Sequence, residues 1–233
     1  MTTRLQWHVE ELRCGPAVPL GPRGYPSGID KQPVSGPLHL AVTGFEADQQ
    51  GDTVNHGGPD KAVHIYARDH YAAWRRELPH RAASLVPGGF GENLVVPGID
   101  ETAPCLGDRM RLGSAIVEVS QGRQPCWKLS VRFNQTDMPR RVQDSGRTGW
   151  YFRVLEEGEV EAGCMLTLLD RPHPAWTIAR INRLFYHDTL NIAALRELSA
   201  LPGLTPSWRR LVENRLSRLA VEDWRRRLDV PQS

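Results

Sequence analysis

Glycine and proline are confined almost entirely to the first three-quarters of this 233-residue chain. Beyond residue 174 only Gly203 remains of 21 glycines, and only Pro202, Pro206 and Pro231 of 18 prolines. Turn formers at that density cut a chain into short segments, the pattern of a strand-rich domain. Residues 1–174 are therefore expected to form a β-rich domain, and residues 175–233 a helical one.

Local patterning agrees with that division. Leu38–Thr43, Val63–Tyr66, Asn93–Val96, Ala115–Ser120, Tyr151–Leu155 and Met165–Leu169 alternate or carry β-branched runs and read as strands. One helix is expected among them, over Asp69–Leu78, where Tyr71, Trp74 and Leu78 fall at i, i+3 and i+7. In the C-terminal part Thr177 caps a helix bearing Ile178, Ile181, Leu184 and Phe185, and Thr189 caps a second with Leu190, Ala194 and Leu198. Thr205–Pro206 opens a third, with Trp208, Leu211, Val212, Leu216 and Leu219 on one side. The cluster Trp150–Phe152 reads as core, and the run Arg225–Arg227 as a solvated helix end.

With 40% hydrophobic residues the chain is too apolar to be disordered. No apolar run approaches the roughly 18 residues of a membrane span, and the charged start MTTRLQWHVEELRCG lacks the apolar segment of an export signal. A cytoplasmic protein without a membrane partner is expected. The formal charge of +2 does not point to nucleic acid. Residues 171–227 carry a net +6 against −3 for residues 1–170, but basic and acidic side chains are interspersed there. A basic helical interaction module is accordingly the weakest of the available readings.

Three clusters could carry chemistry. In NHGGPDKAVHIY, Asn55–Tyr66, glycines allow close backbone approach while His56 and Lys61 offer donors suited to an anion. In PGGFGENLVV, Pro87–Val96, Asn93 stands at the mouth of a strand, able to bind a ligand or to close a turn. In SQGRQPCWKLS, Ser120–Ser130, Cys126 has Arg123 three positions before it and Lys128 two after. Positive neighbours favour the thiolate, the form that attacks or binds a soft metal, although a buried structural thiol is equally compatible. The cysteines Cys14, Cys105, Cys126 and Cys164 form no CxxC pair, which disfavours a local zinc ribbon or iron–sulfur site.

Taken in order, HGGPDKAV, GGFGENL, LGDRMRLGSAIVEVSQGRQPCWKL and GRTGWYFRVLEEGEVEAG resemble the MOSC domain, in the type that carries a C-terminal three-helix domain. The resemblance spans roughly residues 27–225 and implies an α+β fold: a β-barrel of complex topology plus a small helical domain. It implies that Cys126 is a molybdenum thiolate ligand or a sulfur carrier, and that His56, Lys61, Asn93, Ser120 and Arg123 line the cofactor pocket. Asp108 of the GD motif is also retained. Two departures stand out: Gly122 where the family often has proline, and Gly163–Cys164 where it usually has GD.

The activity so implied is reduction of N-hydroxylated compounds, hydroxylaminopurine-type bases among them, to amines on the molybdenum cofactor (molybdopterin). His56 is the expected proton donor because its ordinary pKa lies near neutrality. The chain has no flavin fingerprint, so electrons are expected from a separate reductase. The alternative is a sulfur carrier with a persulfide on Cys126, which needs no metal.

Overall fold

The structure, a computed structural model, describes residues 5–51 and 57–231. Its centre is a nine-stranded sheet in the spatial order Gln6–His8, Met165–Asp170, Arg109–Leu112, Ala115–Gly122, Trp150–Glu156, Val63–Ala67, Leu94–Val96, Glu11–Cys14 and Gln32–Pro33. Neighbours are antiparallel except Val63–Ala67 beside Leu94–Val96, which run parallel with the helix His70–Glu77 in the connection between them.

One bent run of chain closes this sheet. Gln6–His8 pairs with Met165–Asp170 at one edge, and three residues later Glu11–Cys14 pairs with Leu94–Val96 near the other, where only the two-residue Gln32–Pro33 lies beyond it. At the bend Val9 exchanges backbone hydrogen bonds with residues 163 and 164, and the Glu10 amide donates to Val95. One run of chain thus pairs at both sides of the sheet and closes it into a barrel there. The unusual Gly163–Cys164 pair lies at this seam. Inside, Leu12, Val117, Val119, Met110, Leu112 and Leu166 are buried.

The C-terminal part consists of the helices Ile178–Tyr186, Ile192–Ser199 and Pro206–Arg218 and a short turn of helix, Arg225–Leu228. Thr177 and Thr205 cap as expected, each hydroxyl accepting from the amide three residues on. The second helix starts later than its sequence suggests. Asn191 is its cap, accepting from the Ala194 amide, and Leu190 stays exposed. These helices do not form a separate core: Ile178, Ile181, Phe185, Leu195 and Trp208 join one cluster with Val119, Trp150 and Phe152 of the barrel. Among the described residues no helix is long and apolar enough to cross a membrane.

Two helices were not expected from the sequence, Lys128–Phe133 and Met138–Ser145. With His70–Glu77 they enclose a second core of Tyr66, Tyr71, Trp74, Phe90, Leu129, Phe133, Met138 and Val142. Tyr66 and Phe90 stack with centroids 4.3 Å apart. This aromatic cluster underlies the glycine-rich 87–91 loop and the helix that follows Cys126.

Candidate functional site

The strand Ala115–Gly122 delivers the central motif. Its pairing with Trp150–Glu156 slips between Val119 and Gln121, a bulge that redirects the chain leading to Arg123 and Cys126. The Arg123 amide still donates to Gly149 O, at 3.0 Å. Gly149 has φ +69°, and a Cβ there would lie 2.4 Å from Ile65 O and 2.8 Å from His64 Nε2. Only glycine allows that approach. Gly122 is also a contact point: a Cβ would stand 3.0 Å from Asn182 Oδ1 and 3.2 Å from Ile178 Cγ2. Glycine in place of the family's frequent proline thus accommodates a close fit of the helical unit against the strand end.

At this end of the barrel lies a cavity of about 80 Å³, with Lys31, Lys61, His64, Asn93, Arg123, Cys126 and Tyr151 among its walls. Cys126 is 8% exposed and Arg123 5%. Arg123 Nη1 is buried with no hydrogen-bond partner among the described residues. An unpaired guanidinium N–H withdrawn from water is costly unless a ligand satisfies it, so this atom marks a site for an anion.

The structure brings Lys61, Asn93, Arg123 and Cys126 together on this cavity. Their side chains are committed to different degrees. Asn93 Oδ1 accepts from the His64 amide (3.0 Å), and its Nδ2 donates to Arg13 O (3.1 Å) and to Asp48 Oδ2 (2.9 Å). Its amide joins the barrel strands to Asp48, which also forms a buried ion pair with Lys31. Ser120 does not line the cavity. It is fully buried at the bulge, its hydroxyl within reach of Asp60 O (2.6 Å) and Tyr151 O (3.0 Å). With the Arg153–Asp60 ion pair at 2.8 Å, it fastens the Pro59–Lys61 turn that carries Lys61. Lys128 is tied to Pro26 O at 2.7 Å. His56 lies outside the described residues.

Asp108 is structural: buried, it accepts from Arg171 and from the Cys105 amide. Glu92, which the sequence reading passed over, organises the 87–91 loop. Its carboxylate accepts from the amides of Gly88 (2.7 Å) and Phe90 (3.1 Å) and from the Tyr71 hydroxyl. Burial raises its pKa despite those bonds.

Two further cavity residues escaped the sequence reading. Burial, reinforced by the Arg123 charge, holds His64 well below the ordinary imidazole range, so it is neutral at pH 7. Burial likewise raises the Tyr151 phenol, which keeps its proton. The two rings lie 5.0 Å apart. His64 had been hidden within an apparently plain strand, and Tyr151 within an aromatic triplet whose other members, Trp150 and Phe152, are core.

The C-terminal segment reaches the same place. Arg227, expected to be solvated, is half-buried: its carbonyl accepts from the Trp127 amide (2.8 Å), and its guanidinium donates to Pro125 O and Gln143 Oε1. A groove of about 770 Å³ between the barrel and the helices meets the inner cavity at Lys61, Cys126 and Tyr151.

Comparison with known proteins agrees with this architecture. Residues 52–167 match the MOSC domain, and residues 176–219 match the YiiM-like 3-alpha helix domain. The chain is 45% identical to YflK of Bacillus subtilis over 183 residues, covering 78% of this chain and 81% of YflK. It is 37% identical to YiiM of Escherichia coli over 207 residues, 89% of this chain and 92% of that protein. The YiiM crystal structure superposes with a TM-score of 0.83 at 31% identity, covering 97% of this chain and 100% of that one. A Gibberella moniliformis protein named as a reductase is 37% identical over 177 residues, which are 76% of this chain but 31% of that longer protein. The chain belongs to the MOSC-domain family, in its YiiM-like form with a C-terminal three-helix domain.

Proposed function

We propose that this protein binds the molybdenum cofactor at Cys126 and reduces N-hydroxylated compounds of the hydroxylaminopurine type to the corresponding amines. The observation that carries this reading is Arg123 Nη1, buried and without a hydrogen-bond partner among the described residues, in the cavity that also holds the Cys126 thiol. A cationic fork beside a soft thiol suits a ligand that combines an anionic phosphate with a thiophilic metal. Among the described residues no three His, Cys, Asp or Glu side chains cluster as a metal site, so such a metal would draw most of its ligands from the cofactor's own sulfurs.

When bound, the cofactor supplies a two-electron centre. The chain's own residues hold and orient. Cys126 provides the thiolate, while Arg123 and Lys61 receive the phosphate. Neutral His64 leaves the positive charge at Arg123 uncontested. The reaction consumes two protons and two electrons: the N–O bond breaks, the nitrogen leaves as an amine and the oxygen as water. Tyr151 on the cavity wall keeps its phenolic proton, and His56 remains the donor proposed from sequence. Electrons come from a separate reductase.

The test is expression in a molybdate-fed, cofactor-competent host, with molybdenum content and reduction of hydroxylaminopurine by reduced viologen measured on the purified protein. Bound metal with amine formation is expected. Metal-free protein carrying a persulfide on Cys126 would favour the sulfur carrier instead. Arg123→Lys keeps the charge but loses the planar fork. It should weaken cofactor retention by roughly one to two orders of magnitude, the scale of a lost charge-assisted hydrogen bond.

A further inference from the structure

The inner cavity and the outer groove differ in size and chemistry although they share Lys61, Cys126 and Tyr151. The inner one, about 80 Å³, is lined by Lys31, Lys61 and Arg123. The outer one, about 770 Å³, lies within the roughly 300–1,000 Å³ usual for small-molecule sites. Its walls mix both signs of charge, with Arg210 and Arg226 set against Glu222 and Asp223. They also include the half-buried indoles of Trp127 and Trp224 and the amides of Gln121 and Gln124. Such a lining offers little to a simple anion. It suits a flat, nearly neutral heterocycle that can stack on an indole and exchange hydrogen bonds along its edge.

We infer that this groove is the seat of the nitrogenous base, with the C-terminal helices forming one wall of the substrate site. The inference rests on the function proposed above and adds to it a location and a second domain. The two spaces meet at Cys126, so a base in the groove would bring its exocyclic nitrogen beside the group that Cys126 would hold, while the anionic part of that group would occupy the inner cavity. The first turn of Pro206–Arg218 contributes Ser207, whose hydroxyl donates to Gln121 Oε1 at 3.2 Å and so fixes that amide on the groove wall. Glu222 receives the Trp224 indole N–H at 2.9 Å, which orients the ring. The helical unit is thereby assigned a share in recognition.

The experiment uses the full chain and two readouts. Calorimetric titration with hydroxylaminopurine and with adenine measures binding independently of turnover, and steady-state assay of the metal-loaded protein separates KM from kcat. Trp224→Leu removes a stacking face. Ser207→Leu, at an exposed position on the helix, narrows the groove without adding a stacking face or disturbing the core. Both should weaken base binding and raise KM about tenfold, the scale of one lost base–indole contact, with kcat and molybdenum content unchanged. If the wild type reduces the base but neither folded variant alters binding or KM, the groove assignment is wrong and the proposed function stands. If the base binds and both variants weaken it, yet no reduction occurs with metal bound, the groove stands and the proposed function fails.

Discussion

Arg227 donates from Nη1 to the carbonyl oxygen of Pro125, the residue just before Cys126, across 102 positions of sequence. Its other terminal nitrogen donates to Gln143 Oε1 at 2.6 Å, and its carbonyl accepts the Trp127 amide. The cysteine loop is therefore held from both sides by a residue in the last turn of helix. Arg227→Ala should cost about 1.5–3 kcal/mol, the range for hydrogen bonds to a charged group. It should also speed iodoacetamide modification of Cys126 in metal-free protein, with Arg227→Lys falling between. Unchanged melting and alkylation would remove Arg227 from the support of the loop.

The shared core makes a second expectation. Ile178, Ile181, Phe185 and Trp208 pack into the same cluster as the barrel's Trp150 and Phe152. Removing the chain after Pro174 would uncover that face, and burying one such side chain is worth about 1.5–3 kcal/mol. Against a total stability of about 5–15 kcal/mol, the truncated protein should not fold. Retention of a cooperative melting transition by the truncated chain would contradict a shared core.

A third expectation concerns pH. Burial and the Arg123 charge keep His64 neutral in the folded protein, with a pKa below that of the unfolded chain. As pH falls through about 6.5 the unfolded chain gains a proton that the folded chain refuses, so stability decreases. The slope from this one group approaches about 1.4 kcal/mol per pH unit. Metal-free wild type should lose stability more steeply than His64→Gln between pH 7 and 5. Equal slopes would mean that His64 is protonated in the folded state.

Most barrel strands were legible because each shows a β-branched or alternating run between turn residues; Val63–Ala67 and Ala115–Gly122 extend the expected segments by only one or two residues. The strand that closes the barrel was not legible. Gln6–His8 and Glu11–Cys14 are short, polar in part and bent at Val9, so they lack a period. Helices Lys128–Phe133 and Met138–Ser145 were hidden for other reasons: the first has only six residues, and in the second Pro139 reads as a breaker although it stands in the first turn. Within the site, motif spacing located Arg123 and Cys126. It could not distinguish residues facing the cavity from those bracing it, because Ser120, Asn93 and Glu92 are sorted by hydrogen bonds to distant strands and turns. Arg227 was invisible for a simpler reason. Its partner Pro125 lies 102 positions away in the sequence.

The central claim is that Cys126 is the one cysteine serving the cofactor. Cys14 and Cys105 are buried thiols pushed up to about 12 and about 11, poor candidates for a thiolate. The most direct measurement is molybdenum content per chain for Cys126→Ser, Cys14→Ser and Cys105→Ser, expressed in a cofactor-competent host and checked for folding by thermal melting. Folded Cys126→Ser should lose its molybdenum and its reductase activity, whereas the other two keep both. Full metal loading and activity in Cys126→Ser would contradict the thiolate assignment.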